Sequence, residues 1–188
     1  MNLWKALALA AAVVTALPTI AAAQQTQQAP ATTNSPTAAK PEAFKDWELY
    51  CPQPQAANEP RVCEIRAVAL SKDGKPLAAL VVAAVPDDKT KRTQLIASTL
   101  VPLGVDLTME PEFKVDDGKV MPLRYLRCLQ RGCQAVAPLP ADQQAAMRSG
   151  SKAKILVGIG NGKNAVFEFS LTGFSAALDT LKKSSGAS

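Results

Sequence analysis

From position 47 onward, apolar and polar residues alternate along much of the chain with the two-residue period of half-buried strands. At 62–70, Cys63, Ile65, Ala67 and Ala69 fall on one face and Glu64 and Arg66 on the other. Residues 47–51 alternate in the same way. Residues 77–85, LAALVVAAV, form an apolar run closed by Pro86-Asp87-Asp88. A buried strand fits that length better than a helix, although the alanines leave a helix as the alternative. Further strands are expected at 92–100, 123–128, 134–137, 154–159 and 165–171, with Phe167, Phe169 and Leu171 on the buried face of the last. Residues 107–109 and 113–115 flank Pro111 as one edge strand or as two short pieces with a break between them. Asp73-Gly74 and Asn161-Gly162 carry hairpin signals, and Arg131-Gly132 sits in the loop of a third hairpin.

Two stretches change to a helical period. Residues 140–148 place Ala141, Ala145, Ala146 and Met147 on a modest apolar face, with Gly150 as the stop. Residues 173–183 place Phe174, Ala177, Leu178 and Leu181 together. Eight or nine short strands with turn residues between them, and only two helices, argue for an all-β antiparallel sandwich. A closed barrel is the competitor.

The N-terminus reads as an export signal. Lys5 supplies the charge, residues 6–17 the apolar run, and Ala21-Ala22-Ala23 the small residues before a cleavage site, so 1–23 is expected to be removed. The run of 12 residues falls short of the roughly 20 that span a bilayer, which argues against an uncleaved anchor and leaves no transmembrane segment after cleavage. Residues 24–43 are rich in Gln, Ala, Thr and Pro without apolar periodicity, and are expected to be a disordered tether. One domain is expected at 44–183, followed by a frayed tail at 184–188.

Composition narrows the chemistry. The chain has no histidine, which removes Ser-His-Asp and Cys-His nucleophile pairs and the commonest transition-metal ligand. Gly158 to Lys163 resembles a phosphate loop, but Asn164 follows the lysine and a strand follows the loop. Ser149-Gly150-Ser151-Lys152 fits an SxxK pattern with none of its companion motifs. Asp87-Asp88 and Asp116-Asp117 fall in expected turns. No catalytic residue, cofactor or metal site is expected.

Four cysteines in an exported chain point to two disulfides, for which three connectivities exist. Cys51–Cys63 and Cys128–Cys133 are favoured, because each pair brackets a single expected loop. A four-thiolate zinc site is the alternative, but zinc-ribbon spacing is missing.

Charge is unevenly distributed. Residues 40–118 hold ten Lys/Arg against 13 Asp/Glu, whereas 119–188 hold ten against three. Arg124, Arg127, Arg131, Arg148, Lys152 and Lys154 are therefore a candidate patch for an anionic glycan or lipid. The competing reading is that the halves interleave and their charges mix. Export makes nucleic acid an unsuitable partner.

Several short motifs follow one another in order: Asp46-Trp47, Cys51, Cys63-Glu64, Val101-Pro102-Leu103-Gly104-Val105, Cys128, Gly132-Cys133, and the run from Ser170 to Leu178. Together they resemble the invasion-associated locus B family of Gram-negative, mainly alphaproteobacterial, exported proteins. Met109-Glu110-Pro111 stands where members often have a glycine-containing turn. The resemblance implies an immunoglobulin-like antiparallel β-sandwich with one or two short helices, located in the periplasm, at the outer membrane or secreted. It supplies no catalytic residues that could be carried over and implies, in pathogenic members, a contribution to host-cell entry. The leading expectation is a non-enzymatic envelope or surface protein that binds an envelope or host-surface partner. A chaperone-like or structural factor and an envelope hydrolase are the alternatives. Peptides from unreduced protein should join Cys51 to Cys63 and Cys128 to Cys133; a crossed pair seen by mass spectrometry would defeat the loop argument.

Overall fold

A computed structural model describes residues 40–53, 61–87, 90 and 92–185. The expected signal segment, residues 24–39 of the tether and residues 186–188 of the tail lie outside the described residues. Eleven strands and two helices form among those described. In chain order they are β1 (Glu42–Phe44), β2 (Trp47–Tyr50), β3 (Glu64–Leu70), β4 (Pro76–Pro86), β5 (Thr93–Val101), β6 (Glu112–Val115), β7 (Met121–Pro122), β8 (Arg124–Leu129) and β9 (Gly132–Pro138). Helix α1 (Ala141–Ser149), β10 (Lys152–Gly158), β11 (Asn164–Ser170) and α2 (Phe174–Ser185) follow.

The strands make two antiparallel sheets. The larger has the order β1-β2-β3-β4-β5-β9-β8, and the smaller the order β11-β10-β6-β7. The expected sandwich is what forms. One face of the larger sheet carries Trp47, Ile65, Leu80, Val82, Ala97 and Ala135, all buried. Opposite them lie Phe113, Ile155 and Phe169 from the smaller sheet. Four strands do not cover seven, and α2 fills the remaining space against β1 to β4. It buries Phe174, Ala177, Leu178 and Leu181, the four residues expected from its period.

Trp47 ties these layers together. Its ring is fully buried and meets Phe174 of α2 edge-on, with centroids 4.9 Å apart. Its indole N–H donates to the Ser170 carbonyl at the end of β11, at 2.9 Å. A buried indole needs such an acceptor, and this one belongs to the opposite sheet. The turns beside it also touch: Asp46 N–H donates to the Thr172 carbonyl at 3.3 Å. Gly173, at φ +92°, backs directly onto the Phe44 carbonyl, where any Cβ would strike backbone.

Several details differ from expectation. Strand β1 begins at Glu42, inside the stretch expected to be tether. Its pairing to β2 is through backbone, and of its three residues only Phe44 is partly buried, so no apolar alternation marks it. Residues 107–109 form a turn instead of a strand, because the Asp106 carboxylate accepts both the N–H and the hydroxyl of Thr108, at 2.9 and 2.6 Å. Helix α1 buries Gln143 and Met147, while Ala141 and Ala145 face solvent. Its neighbours are β6 and α2, which it meets along a narrow line, so a general alanine face is not what counts. Phe167 is only half-buried, since β11 is an edge strand. Helix α2 continues to Ser185, past the expected start of fraying at 184.

The Trp47→Ala change should cost about 3–5 kcal/mol, the usual range for emptying a fully buried aromatic site. Gly173→Ala should cost at least about 1 kcal/mol, since it combines positive φ with a backbone clash. Urea midpoints of the two variants measure both. Wild-type stability in either would mean that the junction around Trp47 adapts instead of locking the layers.

Candidate functional site

The six basic residues expected to share a patch do not. Arg124, Arg127 and Arg131 belong to β8 and its turn in the larger sheet, Lys152 and Lys154 to β10 in the smaller, and Arg148 to the end of α1. On β10, Lys152 and Lys154 alternate with buried Ala153 and Ile155, so they point away from the sandwich core, opposite to the outer face of the larger sheet. Four of the six have carboxylates nearby. Arg148 pairs with Asp179 at 2.6 Å and Lys152 with Glu168 at 2.7 Å. Lys154 lies 3.6 Å from Asp117, and Arg124 lies 3.9 Å from Glu110. Two of these acids, Asp117 and Glu110, come from the first half and meet bases of the second, while Asp179 and Glu168 pair within the second half.

Arg127 and Arg131 remain without acidic partners among the described residues. Both line an open groove of about 730 Å³ on the outer face of the larger sheet. The groove crosses five neighbouring strands, β3, β4, β5, β9 and β8. Register explains its floor. Arg66 stands opposite Val81 and Val81 opposite Ser98, while Ala79 stands opposite Leu100 and Leu100 opposite Gln134. Small side chains at Ala79 and Ser98 keep the middle low, and Leu129 and the arginines raise one end.

Polar groups in the groove are mostly engaged. Gln134 donates its amide N–H to the Ser98 hydroxyl at 3.0 Å and accepts from Arg127 Nε at 3.2 Å. At the far end, Arg66 directs Nε and one terminal nitrogen at the same Glu48 oxygen, at 3.1 and 3.0 Å. Glu64 lies beside it, and burial pushes its carboxyl above the usual range, with Arg66 pulling partly the other way. A second hollow of about 360 Å³ shares Arg66, Ala79, Leu100 and Arg131 and extends the apolar surface over Val68 and Leu77.

Other sequence motifs are structural. Asp116 accepts the Ser151 and Lys152 N–H groups at 3.0 and 2.9 Å, fixing the start of β10, and these bonds hold its carboxyl below the usual range. Ser149 of the SxxK pattern donates to helix carbonyls, and the Gly158 to Lys163 stretch is the β10–β11 hairpin turn. Among the described residues, no three His, Cys, Asp or Glu side chains gather as a metal site. No helix among those residues is long and apolar enough to cross a membrane.

Disulfides brace both ends of the groove. Cys51 joins Cys63, next to Glu64, and Cys128 joins Cys133 across β8 and β9. Such bonds point to an oxidising compartment outside the cytoplasm. The groove itself was missed by sequence reading. Its one signal was the run at 77–85, more apolar than a strand with one open face requires.

The arrangement is that of a disulfide-braced β-sandwich with an open groove on the outer face of its larger sheet. A family model described as Invasion associated locus B (IalB) protein matches residues 47–182, and the chain belongs to that family. Two curated relatives, the Invasion protein B homologs BAB1_0368 and BruAb1_0366 of two Brucella abortus strains, are each 28% identical over 143 residues. Those alignments cover 75% of this chain and 78% of each relative. The crystal structure of invasion associated protein b from Bartonella henselae superposes with a TM-score of 0.65 at 22% identity, covering 77% of this chain and 95% of that one, a likeness of fold.

Glu64 makes the groove's pH response testable. A carboxyl whose pKa is raised by folding favours the native state when protonated and loses that contribution as pH rises through the raised value. Glu64→Gln should therefore raise the thermal midpoint at pH 7, and the gain should vanish below about pH 4, where the wild-type carboxyl is also neutral. An equal gain at both pH values would show that charge desolvation is not its source.

Proposed function

We propose that this protein is an exported, non-enzymatic binding module of the envelope, acting in the periplasm or at the outer membrane. Its contact surface is the outer face of the seven-stranded sheet. The observation that carries this reading is the coincidence of an apolar, shallow groove with Arg127 and Arg131, the two members of the charged set without acidic partners among the described residues. Exposed apolar surface framed by polar groups is characteristic of interaction sites. Family membership supports a part in host-cell entry where the bacterium is a pathogen, through an envelope or host-surface partner.

The chaperone-like alternative needs an open strand edge. Beside the groove, edge strand β8 is a poor one: its register breaks between Tyr125 and Arg127, and Cys128 is tied to Cys133 on β9. Bulges of that kind discourage strand addition.

A photocrosslinking amino acid at Val81, in the groove, should capture a partner in intact envelopes. The same group at Lys114, on the other sheet, should capture far less. Adding Ala79→Trp should fill the floor and abolish the Val81 product. Equal capture from both sheets, or a product indifferent to the tryptophan, would sink the assignment of this face.

A further inference from the structure

We propose that the outer-face groove binds a long-chain fatty acid, with its carboxylate at Arg127 and Arg131 and its acyl chain laid across β9, β5 and β4 toward β3. The proposal rests on the outer face being the binding surface, and it adds the chemical class of the ligand.

Three features of the groove select this class. The first is the backbone of the floor. Strands β4, β5 and β9 are interior strands with a neighbour on both sides, so their amides and carbonyls are committed to the sheet. A peptide laid over them would find no ladder to join, and its own N–H and C=O groups would lose water without gaining partners. An acyl chain carries no such groups. The side-chain polar atoms of the floor, on Ser98 and Gln134, are already bonded to each other. What the floor offers is aliphatic: Ala79, Val81, Leu100 and Leu129, with Val68 and Leu77 in the adjoining hollow.

The second feature is the distribution of charge along the groove. At the β3 end, Arg66 is held by Glu48, and Glu64 adds a second carboxyl group beside it. That end therefore offers no free cation to an anionic head. At the β8 end, Arg127 spends only Nε on Gln134, and Arg131 has no hydrogen-bond or ionic partner among the described residues. Two guanidinium groups with free donors, Arg127 on β8 and Arg131 on the β8–β9 turn, where it also borders the second hollow, suit a single anionic head, which planar N–H forks bind bidentately. A ligand charged along its length would instead meet Glu48 and Glu64.

The third feature is length. Five strands give four inter-strand steps of about 4.8 Å, so the floor runs about 19 Å from β8 to β3. That is the reach of a long acyl chain, and far more than a free anion needs. The groove volume of about 730 Å³ also falls within the range of small-molecule sites.

The test uses the oxidised protein with cis-parinaric acid, a fatty acid whose polyene fluorescence rises on entering an apolar site. Palmitate should displace it, methyl palmitate should need at least tenfold more, and acetate should not compete. Arg131→Gln lies in an exposed turn and should weaken palmitate binding several-fold, and the pair Arg127→Gln with Arg131→Gln at least tenfold. Ala79→Trp should abolish binding, and Lys163→Gln, on the other sheet, should change nothing. Circular dichroism and urea midpoints confirm that each variant folds. Equal competition by acid and ester, wild-type affinity in the arginine variants, or no binding of the probe would each overturn the proposal. A specific protein crosslinked at Val81 together with no binding of the fatty acid would remove the ligand class while leaving the outer-face assignment standing. Loss of both signals would remove the two together.

Discussion

The hydrogen bond from the Trp47 indole to the Ser170 carbonyl is the point on which the two sheets and α2 converge. It joins residues 123 positions apart, at the centre of a site closed by Phe174 and by the contact of Gly173 with Phe44. The energetic weight lies in burial of the ring, while the hydrogen bond fixes its orientation; a buried indole N–H left without an acceptor would cost about 1–3 kcal/mol. The Asp46-Trp47 motif and the run from Ser170 to Leu178 are thus one structural unit, divided between the two ends of the domain. A similar union occurs where Val101 of β5 faces Cys133 of β9. Gly132, at φ +140°, leaves the Val101 carbonyl the room it needs there.

Much of the fold was legible in the sequence because the period of two survives wherever a strand has one buried face. β3, β5, β10 and α2 needed no more than that. Strands β1 and β7 were missed because two or three mostly exposed residues cannot show a period. The turn at Asp106 was missed because a single side chain bonding to Thr108 overrides the extended preference of Leu107 and Met109. The stretch from Leu100 to Cys133 contains the crossing: it leaves the larger sheet after β5, builds β6 and β7 in the smaller, and returns as β8 and β9. Its corners and glycines were visible, but its change of sheet was not, since both sheets accept the same alternating pattern.

The candidate site was less legible, for an electrostatic reason. A count of charges by segment assumes that each segment forms its own surface. Here Asp117 comes from the β6–β7 turn to Lys154 and Glu110 lies near Arg124, across the two segments, while the few acids of the second segment, Glu168 and Asp179, sit directly beside Lys152 and Arg148. These exposed pairs add little stability. Their consequence is to cancel local field, and that cancellation leaves Arg127 and Arg131 as the distinct pair. Sequence spacing had named both residues but gave no reason to separate them from the other four.

The apolar run of β4 shows how the same residues can serve packing and binding. Ala78, Leu80, Val82 and Ala84 point into the core, while Ala79, Val81 and Ala83 point outward and remain only partly covered. An open antiparallel face normally carries polar residues. Here alanine and valine limit the exposed area that any one position adds, and Arg66 and Arg127 border the floor with their own aliphatic stems. The reverse side of that floor is the fully buried centre of the sandwich, so its shape is set by packing that is present without a ligand. A groove on such a support need not reorganise to bind, and the affinity it can reach is not reduced by the cost of ordering it first.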